Sequence, residues 1–135
     1  MITTVAAAVL LSMTPLHKAI HQVESSGRTG PGIVGDGGKA IGPLQIWKAC
    51  WTDAVQHDPS IGGVYQDCHG LEYACKVFDA YINRYATERR LGRPVTDQDR
   101  ARIWNGGPNG YKKTATLKYW KKVKESLNEK EGNKD

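Results

Sequence analysis

Apolar residues recur at helical spacing along most of this chain, and one glycine-rich stretch interrupts the pattern. Leu16, Ala19, Ile20 and Val23 share one helical face; Thr14 and Pro15 supply an N-cap and first turn, and Gly27 ends the run. From Ser26 to Gly42 the chain holds seven glycines, with the apolar pairs Ile33-Val34 and Ala40-Ile41 flanking Asp36-Gly37-Gly38. That arrangement predicts a small β-hairpin beside the end of the first helix. Leu44, Trp47, Trp51, Ala54 and Val55 predict a second helix, stopped by Asp58 and Pro59.

The longest stripe is Leu71, Ala74, Cys75, Phe78, Tyr81, Ile82 and Tyr85, which predicts a core helix from about Gly70 to Leu91. Gly92 and Pro94 close it, and Thr96 with Asp99 forms a capping box for a short helix through Trp104. Asn105-Gly106-Gly107-Pro108-Asn109-Gly110 neither prolongs a helix nor fits a strand, so a tight, exposed turn is expected there. A last helix turns Leu117, Trp120, Val123 and Leu127 inward, and the polar end from Asn128 to Asp135 is expected to fray. The pattern is that of a mainly helical α+β domain.

At 135 residues the chain suits one domain with one core. Three divisions are expected: an apolar segment over 1–13, a folded domain over 14–127 and a polar tail over 128–135. The apolar segment lacks the Lys or Arg of a secretory n-region and is too short to span a bilayer; it is either signal-like or packed on the core. Net charge is +5, and +4 of it falls from Lys112 onward. Such a tail favours polyanionic partners (nucleic acid, an anionic membrane or an acidic bacterial wall) or is simply a solvated helix face. Cys50, Cys68 and Cys75 cannot make a disulfide framework; one bridge with a free thiol and three reduced thiols both fit.

Two carboxylates in unlike settings are the chemistry that the pattern offers. Glu24 lies in the last turn of the first helix, whose negative end raises its proton affinity as a general acid requires. Asp36 stands among Gly35, Gly37 and Gly38, whose backbone N–H groups can hold it ionised. A raised acid beside an ionised partner is the division of labour in glycosidases. His17, His21 and Glu24 also share a helix face at the spacing of zinc ligands, but Lys18 replaces the expected glutamate, so surface histidines and no metal are expected. A non-catalytic wall-binding or nucleic-acid-binding module, working through Trp47, Trp104, Tyr119 and the basic tail, is the rival class.

Five segments in order decide between these classes: Val23-Glu24-Ser25-Ser26, Gly42-Pro43-Leu44-Gln45-Ile46, Tyr81-Ile82-Asn83-Arg84-Tyr85, the run from Ala101 to Gly110, and Tyr119-Trp120-Lys121-Lys122-Val123. Together they resemble the invertebrate-type (destabilase) lysozymes, from about residue 16 to 124. The resemblance implies a lysozyme-like fold, with the small hairpin beside the catalytic helix, and cleavage of the β-1,4 bond between N-acetylmuramate and N-acetylglucosamine in peptidoglycan. It implies Glu24 as the acid, Asp36 as nucleophile or charge stabiliser, and Gln45, Tyr81, Asn83, Asn105 and Gly106 along the sugar groove. The glycine-rich segment after Asp36 is one residue shorter than the family pattern.

The Glu-Ser and Gly-x-x-Gln-Ile pieces are also shared with lytic transglycosylases, which would use Glu24 alone. No cofactor, metal, specific nucleic-acid partner or transmembrane segment is implied. The expected setting is a monomer secreted or released to the bacterial wall. The family is normally rich in cysteine, so here the core has to supply the stability that disulfides would.

Overall fold

The computed structural model describes residues 12–132. In chain order these residues form α1 (Pro15–Ser25), β1 (Val34–Gly35), β2 (Ala40–Ile41), β3 (Ile46–Trp47), α2 (Lys48–His57), α3 (Leu71–Tyr85), α4 (Glu88–Leu91), α5 (Asp97–Gly106) and α6 (Leu117–Gly132). Short 3-10 turns fill several of the connections. Helix α2 packs on α3, α3 on α5, and both α1 and α5 on α6. Among the described residues no helix is long and apolar enough to cross a membrane.

The helix starts follow the capping chemistry read from the chain. Thr14 accepts from the His17 backbone N–H at 3.1 Å, and the His17 ring returns the bond by accepting from the Thr14 N–H at 3.1 Å. Thr96 and Asp99 form the expected box, with Thr96 N–H donating to Asp99 at 2.9 Å. Ser26 takes the left-handed conformation that closes α1, one residue before Gly27.

The core lies between α1, α3, α5 and α6 and is lined by Leu16, Ala19, Ile20, Val77, Phe78, Ala101, Ile103 and Val123. Met13 is also buried there, so the last residue of the apolar 1–13 segment packs on the core; residues 1–11 lie outside the described part. All three cysteines are free thiols, which resolves the alternatives left open by their number.

Several expectations are corrected. The predicted hairpin is the first half of a three-stranded antiparallel sheet, in which Val34 pairs Ile41 and Ala40 pairs Trp47. Trp47 is thus a strand residue and Leu44 a buried loop residue, and α2 begins only at Lys48. Ile46 and Trp47 are paired with β2, and Trp47 is extended at φ −81°, ψ 151°, so the helix cannot start earlier. The long helix stops at Tyr85 because Thr87 caps a separate turn, accepting from the Arg90 N–H, while the Arg90 side chain takes the freed Tyr85 carbonyl at 2.6 Å.

The Asn105–Gly110 run is only in part an exposed turn: Asn105 and Gly106 complete α5, Asn105 and Asn109 are exposed, and Gly110 is buried. Gly110 is buried so closely on α5 that a Cβ there would stand 2.0 Å from the Arg102 carbonyl oxygen. At the C-terminal end Leu117 is exposed as the first residue of α6, and Ser126 joins Val123 inside. The helix runs past Asn128 to Gly132.

Asp99 is almost fully buried, and the Arg93 guanidinium grips both its oxygens at 2.7 Å, holding its pKa down to about 2. The unfolded chain takes up this proton near pH 4, so the contribution is complete above that value and disappears as pH falls towards 2. Asp99→Asn is expected to cost about 1–2 kcal/mol in denaturant unfolding at pH 6, allowing for screening of the exposed Arg93, and almost nothing at pH 2.

Candidate active site

Glu24 reaches its position because α1 ends there. The Schellman-like close at Ser26 and Gly27 turns the chain away, and the buried Ser25 hydroxyl donates to the Pro43 carbonyl at 2.8 Å, fastening the helix end to the loop before β3. That loop fits because Gly42, at φ 78°, lies against the Cys68 backbone; a Cβ would stand 2.0 Å from the Cys68 oxygen. The result is a groove of about 660 Å³ between the sheet and the helices, lined by Glu24, Asp36, Gln45, Trp47, Tyr81 and Asn105 among others.

The Glu24 carboxyl group is half-buried, and two donors meet one of its oxygens. Tyr119 O–H donates to Oε2 at 2.8 Å and Trp104 Nε1–H donates to the same atom at 3.2 Å. Burial is the main cause that pushes the Glu24 pKa up to about 7; the Tyr119 and Trp104 bonds pull it back, and the negative charge of Asp36 raises it. The direction agrees with the reading of the sequence, but desolvation, rather than the negative end of the helix, leads. Tyr119 stays protonated, since burial and the Glu24 charge both push its pKa well up.

Asp36 opens the turn between β1 and β2 at φ 50°, a left-handed conformation that Asp tolerates better than most residues. The bond given to its carboxylate comes from the Trp47 indole, Nε1–Oδ2 3.2 Å, where glycine N–H groups were expected. Gln45, also left-handed, folds back so that its amide donates to the Gly42 carbonyl at 3.0 Å, over the bare face of Gly35.

Of the seven residues read from the sequence, the groove brings together Glu24, Asp36, Gln45, Tyr81 and Asn105. Asn83 is elsewhere, in a separate depression of about 280 Å³ with Thr14, His17, Asp79 and Arg100. Gly106 ends α5, where its carbonyl accepts from Lys113 Nζ at 2.7 Å. The histidines are not surface residues: His17 is buried with Nε2 2.6 Å from Asp79 Oδ1, and His21 with Nε2 2.7 Å from the Arg28 carbonyl oxygen. Among the described residues no three His, Cys, Asp or Glu side chains gather as a metal site.

Sequence reasoning missed the partners of Glu24. Trp104 and Tyr119 stand out in the sequence only as stacking groups of the rival binding-module class; nothing in their spacing shows which way an indole N–H or a phenol points. Asp53 was missed altogether. It lines the groove from the middle of α2, held by Arg84 and by the Tyr85 hydroxyl at 2.7 Å.

The sequence model of the Destabilase family matches residues 18–126. The chain belongs to this family. A lysozyme of Ostrea edulis is 34% identical over 131 residues, covering 89% of this chain and 90% of that protein. Lysozyme 1 of Crassostrea virginica is 37% identical over 85 residues, or 62% of this chain and 43% of that longer protein. The solved structure of an inhibitor-bound lysozyme from Meretrix lusoria superposes with a TM-score of 0.67 at 28% identity, covering 84% of this chain and 88% of that one.

The raised pKa of Glu24 is also a statement about stability. The folded protein keeps this proton up to about pH 7, whereas the unfolded chain releases it near 4.5, so stability falls as pH rises through that window. Glu24→Gln removes the dependence. Relative to that variant, the wild type is expected to lose on the order of 3 kcal/mol between pH 4 and pH 8 in denaturant titrations.

Proposed function

We propose that this chain is a peptidoglycan hydrolase, a muramidase cleaving the β-1,4 bond between N-acetylmuramate and N-acetylglucosamine. One observation carries the reading: a carboxyl group that keeps its proton to about pH 7 faces a groove holding a second carboxylate, in a chain whose relatives are lysozymes. Division of labour between two such carboxylates has lysozyme itself as its worked case.

Glu24 is the general acid. Both donors meet Oε2, so that atom takes the carbonyl role and the proton of the neutral acid belongs on Oε1, from which it passes to the leaving glycosidic oxygen. Once Glu24 is ionised, the same two donors stabilise its charge, and the carboxylate, still basic because burial keeps its pKa near 7, takes a proton from the incoming water. Asp36 is the nucleophile or the stabiliser of the oxocarbenium-like state. Gln45, Tyr81 and Asn105 supply contacts along the glycan. The catalytic unit is the domain over 14–127 acting as a monomer, and release to the bacterial wall belongs to the same proposal.

Glu24→Gln is expected to lower the rate of wall clearing on the order of a hundredfold or more while the fold is kept; loss within a factor of about three would remove Glu24 from the role. Asp36→Asn should lose most of the activity, because asparagine suits the same left-handed turn but carries no charge. Mass spectra of digested peptidoglycan should show reducing muramate ends. Anhydro ends, lighter by one water, would instead make the protein a lytic transglycosylase with Glu24 as sole acid and base, and binding without any new ends would make it a wall-binding module. Tyr119→Phe, which removes a bond that lowers the Glu24 pKa, should move the alkaline limb of the pH profile upward from about 7.

A further inference from the structure

Trp47 is 45% exposed, an unusual position for the largest side chain, and it sits on the wall of the Glu24 groove. Its location is costly in two ways. It occupies the N-cap of α2 without making a side-chain cap, where Ser, Thr, Asp or Asn would stabilise the helix. It also leaves a large apolar surface in water. Across the sheet it faces the small, buried Ala40, so the strand pairing leaves the outward indole uncovered. The exposed Lys39 ammonium lies 5.8 Å from the ring centroid.

Trp47 also differs from the other aromatics around the groove. Trp104 is spent on Glu24, Phe78 and Tyr81, with ring centroids 4.9 and 5.8 Å away, and Tyr81 is itself buried. Only the Trp47 indole combines exposure with a hydrogen bond to Asp36.

We infer that Trp47 is a binding platform for the glycan, on which the apolar face of a pyranose ring stacks, and that its N–H sets the orientation of the Asp36 carboxylate beneath that sugar. The inference rests on the muramidase reading and adds to it a subsite and a positioning residue. Stacking belongs to the ring and positioning to the N–H, so the two roles separate by substitution. Trp47→Phe keeps a flat apolar face and loses the donor; Trp47→Ser loses both and supplies a helix cap.

Soluble N-acetylglucosamine oligosaccharides serve as the binding probe, titrated calorimetrically into the Glu24→Gln protein with and without each change. Peptidoglycan turnover is measured in the Glu24 background. Trp47→Ser is expected to weaken oligosaccharide binding by about tenfold or more and to raise KM, with a melting temperature no lower than the parent's. Trp47→Phe should bind within about threefold of the parent but turn over more slowly, so kcat falls while KM holds.

Trp47→Ser that binds and cleaves as the parent does overturns the platform. Trp47→Phe with unchanged kcat overturns the positioning of Asp36. Both results leave the muramidase reading intact if the parent releases reducing ends; a parent that neither binds nor cleaves glycan overturns that reading and the Trp47 inference together.

Discussion

A carboxyl group at the end of the first helix is held by residues 80 and 95 positions further along the chain, and the rest of the structure serves that contact. Trp104 comes from the last turns of α5 and Tyr119 from the first turn of α6, and both donate to Glu24 Oε2. The packing of α1 and α5 on α6 is therefore also what surrounds the acid. Burial by itself would drive the group far towards its neutral form, and the two donors restrain it. The outcome is a carboxyl near pH 7, able both to give a proton and to take one back.

Opposite this rigid helical corner stands a sheet of three two-residue strands, too small to be stable alone. It is kept in place by the Ser25 bond to Pro43 and by the Tyr65 hydroxyl, which donates to the Ile46 carbonyl at 2.5 Å. In return, its turns carry the unusual backbone of the site. Asp36 and Gln45 are both left-handed, conformations that cost energy for residues other than glycine and persist only where the surroundings enforce them. Helices thus supply the stability, and the sheet spends some of it in presenting polar groups to the groove.

Stability without cross-links is consistent with the state of the cysteines. Cys68 and Cys75 are buried among apolar neighbours, which push their thiols up to about 12, and burial raises Cys50 as well. They behave as small core residues rather than as nucleophiles. The helical interfaces and the buried Asp99 capping network stabilise the fold without disulfides.

Local chemistry made much of this legible in the chain alone. The caps at Thr14 and Thr96, the stripe of α3, the stop at Asp58 and the paired acids Glu24 and Asp36 all depend on near neighbours, so their spacing determines them. The family segments pointed to the groove residues Gln45, Tyr81 and Asn105, but placed Asn83 and Gly106 there too. A motif records which residues accompany one another, not which side of a helix each occupies. Tertiary structure alone decided that burial is what raises Glu24, that Trp104 and Tyr119 hold it, that Trp47 reaches Asp36, and that Asp53 enters the groove. Each of these depends on contacts closed across tens of residues, where the direction of a side chain follows from how whole helices pack and not from any local pattern.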